Sequence, residues 1–206
     1  MTLTYKTDDS FFTFVVIPGN LHRASIFRWF EAHSHAKFRF IRDQEVETDY
    51  FNLQQIDEIY PEIKTLAVVA NPWRRAVDAY IATCNLKLAN RNIPATVFDF
   101  TVDSFDKFVH GLATLPQNSK YWFTPATPQT NWLQYEHDGT VKEVDFILRE
   151  EHINEDFKSI QDYFCIDAPL VSTDKLVRYR RFYNQETREI IANLAAADIE
   201  RFGYKF

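Results

Sequence analysis

The sequence predicts an α/β domain in which a central, mainly parallel sheet is covered by helices. Twice along the chain a short aromatic or β-branched run is followed by a turn signal and then by a helical pattern. Parallel strands need crossover connections, and alternating strands and helices supply them. With 206 residues, 46% hydrophobic content and only 4 glycines, the chain can bury one large core, so a single domain over residues 1–206 is expected.

The elements follow in order. Phe11 to Ile17 reads as a buried strand, and Pro18-Gly19 turns the chain at its end. From Ala24 to His33, Ile26, Phe27 and Phe30 recur at helical spacing with Trp29 beside them, so a helix follows the turn. Phe38 to Ile41 is a second, shorter strand. Leu53, Ile56, Ile59 and Tyr60 repeat at steps of three and four and form a helix that Pro61 ends. Thr65 to Ala70 is another apolar strand. Asn71 then caps, and Pro72 opens, a helix running from Trp73 to about Leu88. Asp103 or Ser104 caps a helix carrying Phe105, Phe108, Val109 and Leu112. Asp138-Gly139, between Trp132–Tyr135 and Val141–Ile147, signals a hairpin. Ile153–Phe164 and Gln185–Phe202 are closing helices, the second between an Asn184 N-cap and a Gly203 C-terminal cap. In such a sheet the ligand site lies at the strand ends.

Composition removes several classes of function. The net charge of −6 comes from interspersed acids and bases, which argues against a general polyanion binder, and nucleic acid is not an expected partner. Cys84 and Cys165 lack metal-ligand spacing and form no disulfide framework, which suits a reducing compartment. His33 and His35 lie two apart and point to different sides of a helix, so no metal is expected there. The polar opening and the lack of an apolar run near the roughly 20 residues of a membrane span predict neither export nor membrane attachment, and a cytoplasmic location. No G-x-x-x-x-G-K-[ST] sequence occurs, which disfavours a kinase.

Four segments together resemble the sulfotransferase family, in particular its carbohydrate sulfotransferase branch. Val69-Ala70-Asn71-Pro72-Trp73-Arg74-Arg75-Ala76-Val77-Asp78-Ala79-Tyr80 is similar to the family's Arg-(Asp/Asn)-Pro-aromatic-x-Arg-x-x-Ser-x-Tyr segment. Pro128-Gln129, then Val144-Asp145-Phe146-Ile147-Leu148-Arg149-Glu150-Glu151, then Glu155-Asp156-Phe157 resemble later family signatures in the family's order. The run from Phe182-Tyr183 through Asp198-Ile199 to Phe202-Gly203-Tyr204 resembles its ending. The resemblance implies a P-loop-like three-layer domain that transfers a sulfuryl group from 3′-phosphoadenosine 5′-phosphosulfate to a hydroxyl of a carbohydrate or small metabolite. It assigns the phosphosulfate to the loop Gly19, Asn20, Leu21, His22, Arg23, Ala24 and Ser25, which follows Pro18. The donor's 3′-phosphate is assigned to Asn71, Arg75, which matches the family's second arginine, and position 78, where Asp78 stands; Arg74 is an extra cation on the same helix and a further candidate contact.

The chain departs from the family where charge matters. Gly19 stands where the family has lysine, Ala70 where it has its first arginine, and Asp78 where it has serine. Sulfuryl transfer is an in-line displacement in which the protein positions both partners and offsets charge on the leaving oxygen. Arg23, a fixed cation, is the candidate for that charge, and His22 is a candidate proton acceptor. Asp43, beyond the second strand, is the first choice of base among Asp43, Glu45 and Glu47. Losing one charged hydrogen bond costs about 1.5–3 kcal/mol, so the missing arginine weakens donor binding by roughly tenfold to a hundredfold. The alternative is a catalytically inactive protein of the same fold that binds a nucleotide, glycan or protein. Plainer readings stand beside these: a simple β–α turn at the loop, and a solvated helix face at Arg74 and Arg75. Arg149 is expected to pair with Glu150 or Glu151, and Trp122 and Trp132 flank a loop able to face a sugar ring.

Overall fold

The computed structural model describes residues 2–6, 11–17, 20, 23–33, 37–41, 52–88, 104–114, 127–171 and 178–206, the side chains at 2–6, 11, 23–24, 37–41 and 85–88 excepted. The elements are β1 (Thr2–Lys6), β2 (Phe11–Val15), α1 (Arg23–His33), β3 (Lys37–Ile41), α2 (Leu53–Ile59), β4 (Lys64–Val69), α3 (Pro72–Leu88) and α4 (Phe105–Thr114). Then come α5 (Thr130–Leu133), β5 (Gln134–His137), β6 (Thr140–Glu143), β7 (Phe146–Arg149), α6 (Ile153–Asp156), α7 (Lys158–Phe164), α8 (Gln185–Leu194) and α9 (Ala196–Phe202). The chain forms two compact units, residues 1–70 with 129–175 and residues 71–128 with 176–206.

The first unit is α/β. Its sheet has the order β3-β1-β2-β4-β7, with β2, β4 and β7 parallel and β1 and β3 antiparallel to their neighbours. The parallel part is therefore only three strands wide, narrower than the mainly parallel sheet expected. Residues 7–10 between β1 and β2 are too few for a crossover, which requires a dozen or more residues, so this pair is antiparallel. β1 was not anticipated, because Thr2–Lys6 reads as a polar opening.

Alternate residues put Phe12, Phe14 and Val16, Leu66 and Val68, and Leu148 into one buried cluster with Ile26, Trp29 and Phe30 of α1 and with Ile153, Phe157 and Ile160. Helices α1, α6 and α7 thus contribute to the core on one sheet face. Trp29 meets Phe30 and Phe157 edge-on at 5.0 and 4.8 Å, and its indole N–H donates to the Ala168 carbonyl at 2.7 Å. Thr13, Val15, Thr65, Ala67 and Val69, which alternate with those strand residues, are buried too.

The expected strand Val141–Ile147 is two strands in two sheets. Asp145 separates them: its carboxylate accepts from the Thr65 N–H at 2.8 Å, the Thr65 hydroxyl at 2.9 Å and Lys64 Nζ at 2.5 Å, while its own N–H donates to Thr65 Oγ1. These bonds join the chain entering β7 to the start of β4, and β6 stays with β5 in a separate hairpin. The turn of that hairpin is as expected, with φ of 51° at Asp138 and 72° at Gly139, both on the left-handed side as a type I′ turn needs.

The second unit is helical in its described residues. Trp73, Ala76 and Val77 of α3, Phe105, Phe108, Val109 and Leu112 of α4, and Ile191 of α8 form its core. Ser104 caps α4, its hydroxyl accepting from the Lys107 N–H at 3.2 Å; Asp103, the other cap considered, lies outside the described residues. Asn184 caps α8 in a reciprocal box with Thr187, and Gly203 ends α9 at φ 66°. The single closing helices expected at 153–164 and 185–202 are broken at Phe157 and Ala195. Among the described residues no helix is long and apolar enough to cross a membrane.

Candidate functional site

In the first unit β2 and β4 run parallel, with Val15 opposite Ala67, so their C-terminal ends lie side by side. Beyond β2 the chain passes Asn20 and enters α1 at Arg23. The strand and the helix expected there are formed, with Arg23, Ala24 and Ser25 as the first three residues of α1. Ser25 is buried. Gly19, Leu21, His22 and Asp43, and the side chains of Arg23 and Ala24, lie outside the described residues.

Asn20 is half-buried and tied to β4. Its Nδ2 donates to the Val68 carbonyl at 2.5 Å and to Gln129 Oε1 at 2.9 Å. Gln129, fully buried, also accepts from the Ala70 N–H at 2.9 Å and donates through Nε2 to the Ala70 carbonyl at 2.8 Å. Asn20 Oδ1 is buried and accepts no hydrogen bond from the described residues, a situation that costs about 1–3 kcal/mol.

In the second unit the start of α3 has the cap the sequence predicts. Asn71 Oδ1 accepts from the N–H groups of Trp73 at 3.1 Å and Arg74 at 3.4 Å, and Nδ2 donates to the Lys205 carbonyl at 3.0 Å. Arg74 and Arg75 do not lie on a solvated face: they are 3% and 1% exposed. Arg74 Nε sits 3.6 Å from Asp78 Oδ2, one helical turn on. Arg75 Nη1 donates to the Thr127 carbonyl at 2.9 Å. Burial lowers the Arg75 pKa to about 10, against the opposing pull of Asp198. Burial raises the Asp78 carboxyl to about 6, with Arg74 only partly offsetting it. Tyr183, whose hydroxyl donates to the Trp73 carbonyl at 2.7 Å, is pushed well above the usual phenol range by burial, with Tyr179 and Asp78 adding to the shift.

Arg149 forks onto Asp156 at 2.8 and 2.9 Å, seven residues on, a partner not among the acids considered for it. One other expectation is corrected. Trp132 is fully buried, so it packs in the core and offers no face to a sugar; Trp122 lies outside the described residues.

Sequence reasoning gave no role to Gln129, quoted only as part of a signature, or to Asp198, which is fully buried. Asp198 had a signal: it continues the buried stripe Thr187, Ile191, Ala195 at helical steps. A third cluster was missed because its members are far apart in sequence. Asp57 of α2 accepts from the Tyr135 hydroxyl and from Lys142 Nζ at 2.6 Å, and these bonds outweigh burial and hold its carboxyl below the usual range. They border a cleft of about 350 Å³ that includes Lys64 and Thr65, at the N-terminal end of β4. That is the opposite strand end from the one where α/β sheets bind ligands.

No protein-family model, curated protein or solved structure matches this chain.

Proposed function

We propose that the chain is a sulfotransferase-type protein with a P-loop-like three-layer architecture, taking 3′-phosphoadenosine 5′-phosphosulfate and passing its sulfuryl group to a hydroxyl of a carbohydrate or small metabolite. The observation that carries this reading is the connection from β2 to α1. A parallel strand ends, Asn20 just beyond it is bonded to β4, and an 11-residue helix begins at Arg23. Backbone N–H groups and the positive end of a helix dipole suit an anion in that position. In the transfer, the bond from sulfur to the donor's phosphate oxygen breaks as a bond to the acceptor oxygen forms. The acceptor's proton passes to a base, His22 or Asp43 in this reading, and Arg23 offsets charge on the leaving phosphate. A cytoplasmic site of action goes with it, supported by the free thiols of Cys84 and Cys165.

A second reading has its own observation. In the second unit, the two cations considered for the 3′-phosphate are engaged internally, Arg74 with Asp78 and Arg75 with the Thr127 carbonyl. That favours a non-catalytic relative that binds a nucleotide, glycan or protein.

Calorimetric titration with 3′-phosphoadenosine 5′-phosphate, with adenosine monophosphate as control, separates the two. The enzyme reading expects micromolar affinity that depends on the 3′-phosphate. Heat changes absent for both nucleotides would remove the donor-dependent enzyme and leave the second reading.

A further inference from the structure

We infer that Asn20 and Gln129 are positioning residues, a clamp that holds the entry to α1 against the C-terminal end of β4 so that the donor's phosphosulfate meets a fixed helix start; this rests on the sulfuryl-transfer reading. The need for such a clamp follows from where the sheet stops. The ladder between β4 and β7 ends with Val69 opposite Arg149. Ala70, one residue further, is 1% exposed, and its N–H and C=O still require partners. The amide of Gln129 supplies both, acting as a short substitute strand, with bonds of 2.9 and 2.8 Å.

Gln129 Oε1 also accepts from Asn20 at 2.9 Å, and the second Nδ2 hydrogen of Asn20 goes to the Val68 carbonyl. Asn20 is thereby tied to β4 twice, once directly and once through a residue itself bound to Ala70. Its own N–H donates to the Ile17 carbonyl at 3.3 Å, so backbone and side chain are both held. Asn20 stands three residues before Arg23, the first residue of α1. In-line transfer is sensitive to such support, because a 1 Å misplacement of a reacting group costs on the order of a hundredfold in rate.

The test uses the full chain with Asn20→Ala and, separately, Gln129→Met, which keeps the length of the side chain and removes its amide. Residue-resolved amide exchange is read at Asn20 and Ala70, and affinity is read with 3′-phosphoadenosine 5′-phosphosulfate. In Asn20→Ala, exchange at position 20 is expected to rise at least tenfold while Ala70 stays protected, and donor affinity to fall at least tenfold. In Gln129→Met, exchange at both positions should rise. Should Gln129→Met fail to fold, Asn20→Ala decides alone. Donor affinity within twofold of the parent, despite faster exchange at position 20, overturns the positioning role. Unchanged exchange at position 20 overturns the clamp itself. If the parent chain binds no donor, the sulfuryl-transfer reading fails together with the positioning role, while the exchange data still report whether the clamp exists.

Discussion

A carboxylate buried beside a single guanidinium at 3.6 Å is only partly compensated, and Asp78 therefore titrates near pH 6 in the folded protein, against 3.8 for an ordinary aspartate. Between those values the folded state holds a proton that the unfolded chain has released. The contribution of Asp78 to stability is thus fully present below about pH 4, declines as pH rises toward 6, and is flat above that. Asp78→Asn removes the titration. Urea unfolding at pH 4, 5, 6 and 7 should show the parent losing on the order of 1–2 kcal/mol across this window relative to the variant. Parallel curves would mean that Asp78 ionises normally. The lowered carboxyls of Asp57, Asp145 and Asp156 act in the opposite sense, losing their stabilisation as pH falls below the ordinary aspartate range, so they do not mask the effect.

At the scale of elements, the features that matched expectation are governed by neighbours in sequence. Asn71, Ser104 and Asn184 cap the helices they precede, and Asp138-Gly139 turns a hairpin, because each bond spans only a few residues. Asn184→Ala should cost about 1 kcal/mol, or about 2–4 °C in melting temperature for a chain of this size, while Asn184→Asp keeps most of it. Equal losses for both variants would show that the second bond of this side chain, from Nδ2 to Asp106 at 2.9 Å, outweighs the cap. What failed at this scale depended on distant partners. Val141–Ile147 is apolar enough to read as one strand, yet Asp145 is bonded to Lys64 and Thr65 some eighty residues away, and that divides it.

At the scale of the molecule, the first unit's core is an aromatic cluster against one sheet face. Phe30, fully buried, has its ring centroid 4.6 Å from Phe12, 5.0 Å from Trp29 and 5.4 Å from Phe164. Phe30→Ala should lower unfolding free energy by about 3–5 kcal/mol, because the surrounding rings cannot collapse into the space. A loss below 1 kcal/mol in denaturant titration would mean that the cluster repacks freely. The second unit has its own core of α3, α4 and α8, so segments far apart in the chain, 71–128 and 176–206, complete one compact body.

By itself, the sequence determined the α/β class, the order of most elements, the caps and the hairpin turn, since periodicity and turn chemistry act over a few residues. It also marked the loop after β2 and the start of α3 as candidate anion-binding segments. Only the tertiary structure decided that β1 lies beside β2, that Arg74 and Arg75 are buried, and that Gln129 completes the end of β4. Those outcomes depend on burial and on hydrogen bonds between residues tens of positions apart, and no local pattern records which distant group will satisfy a buried charge or amide.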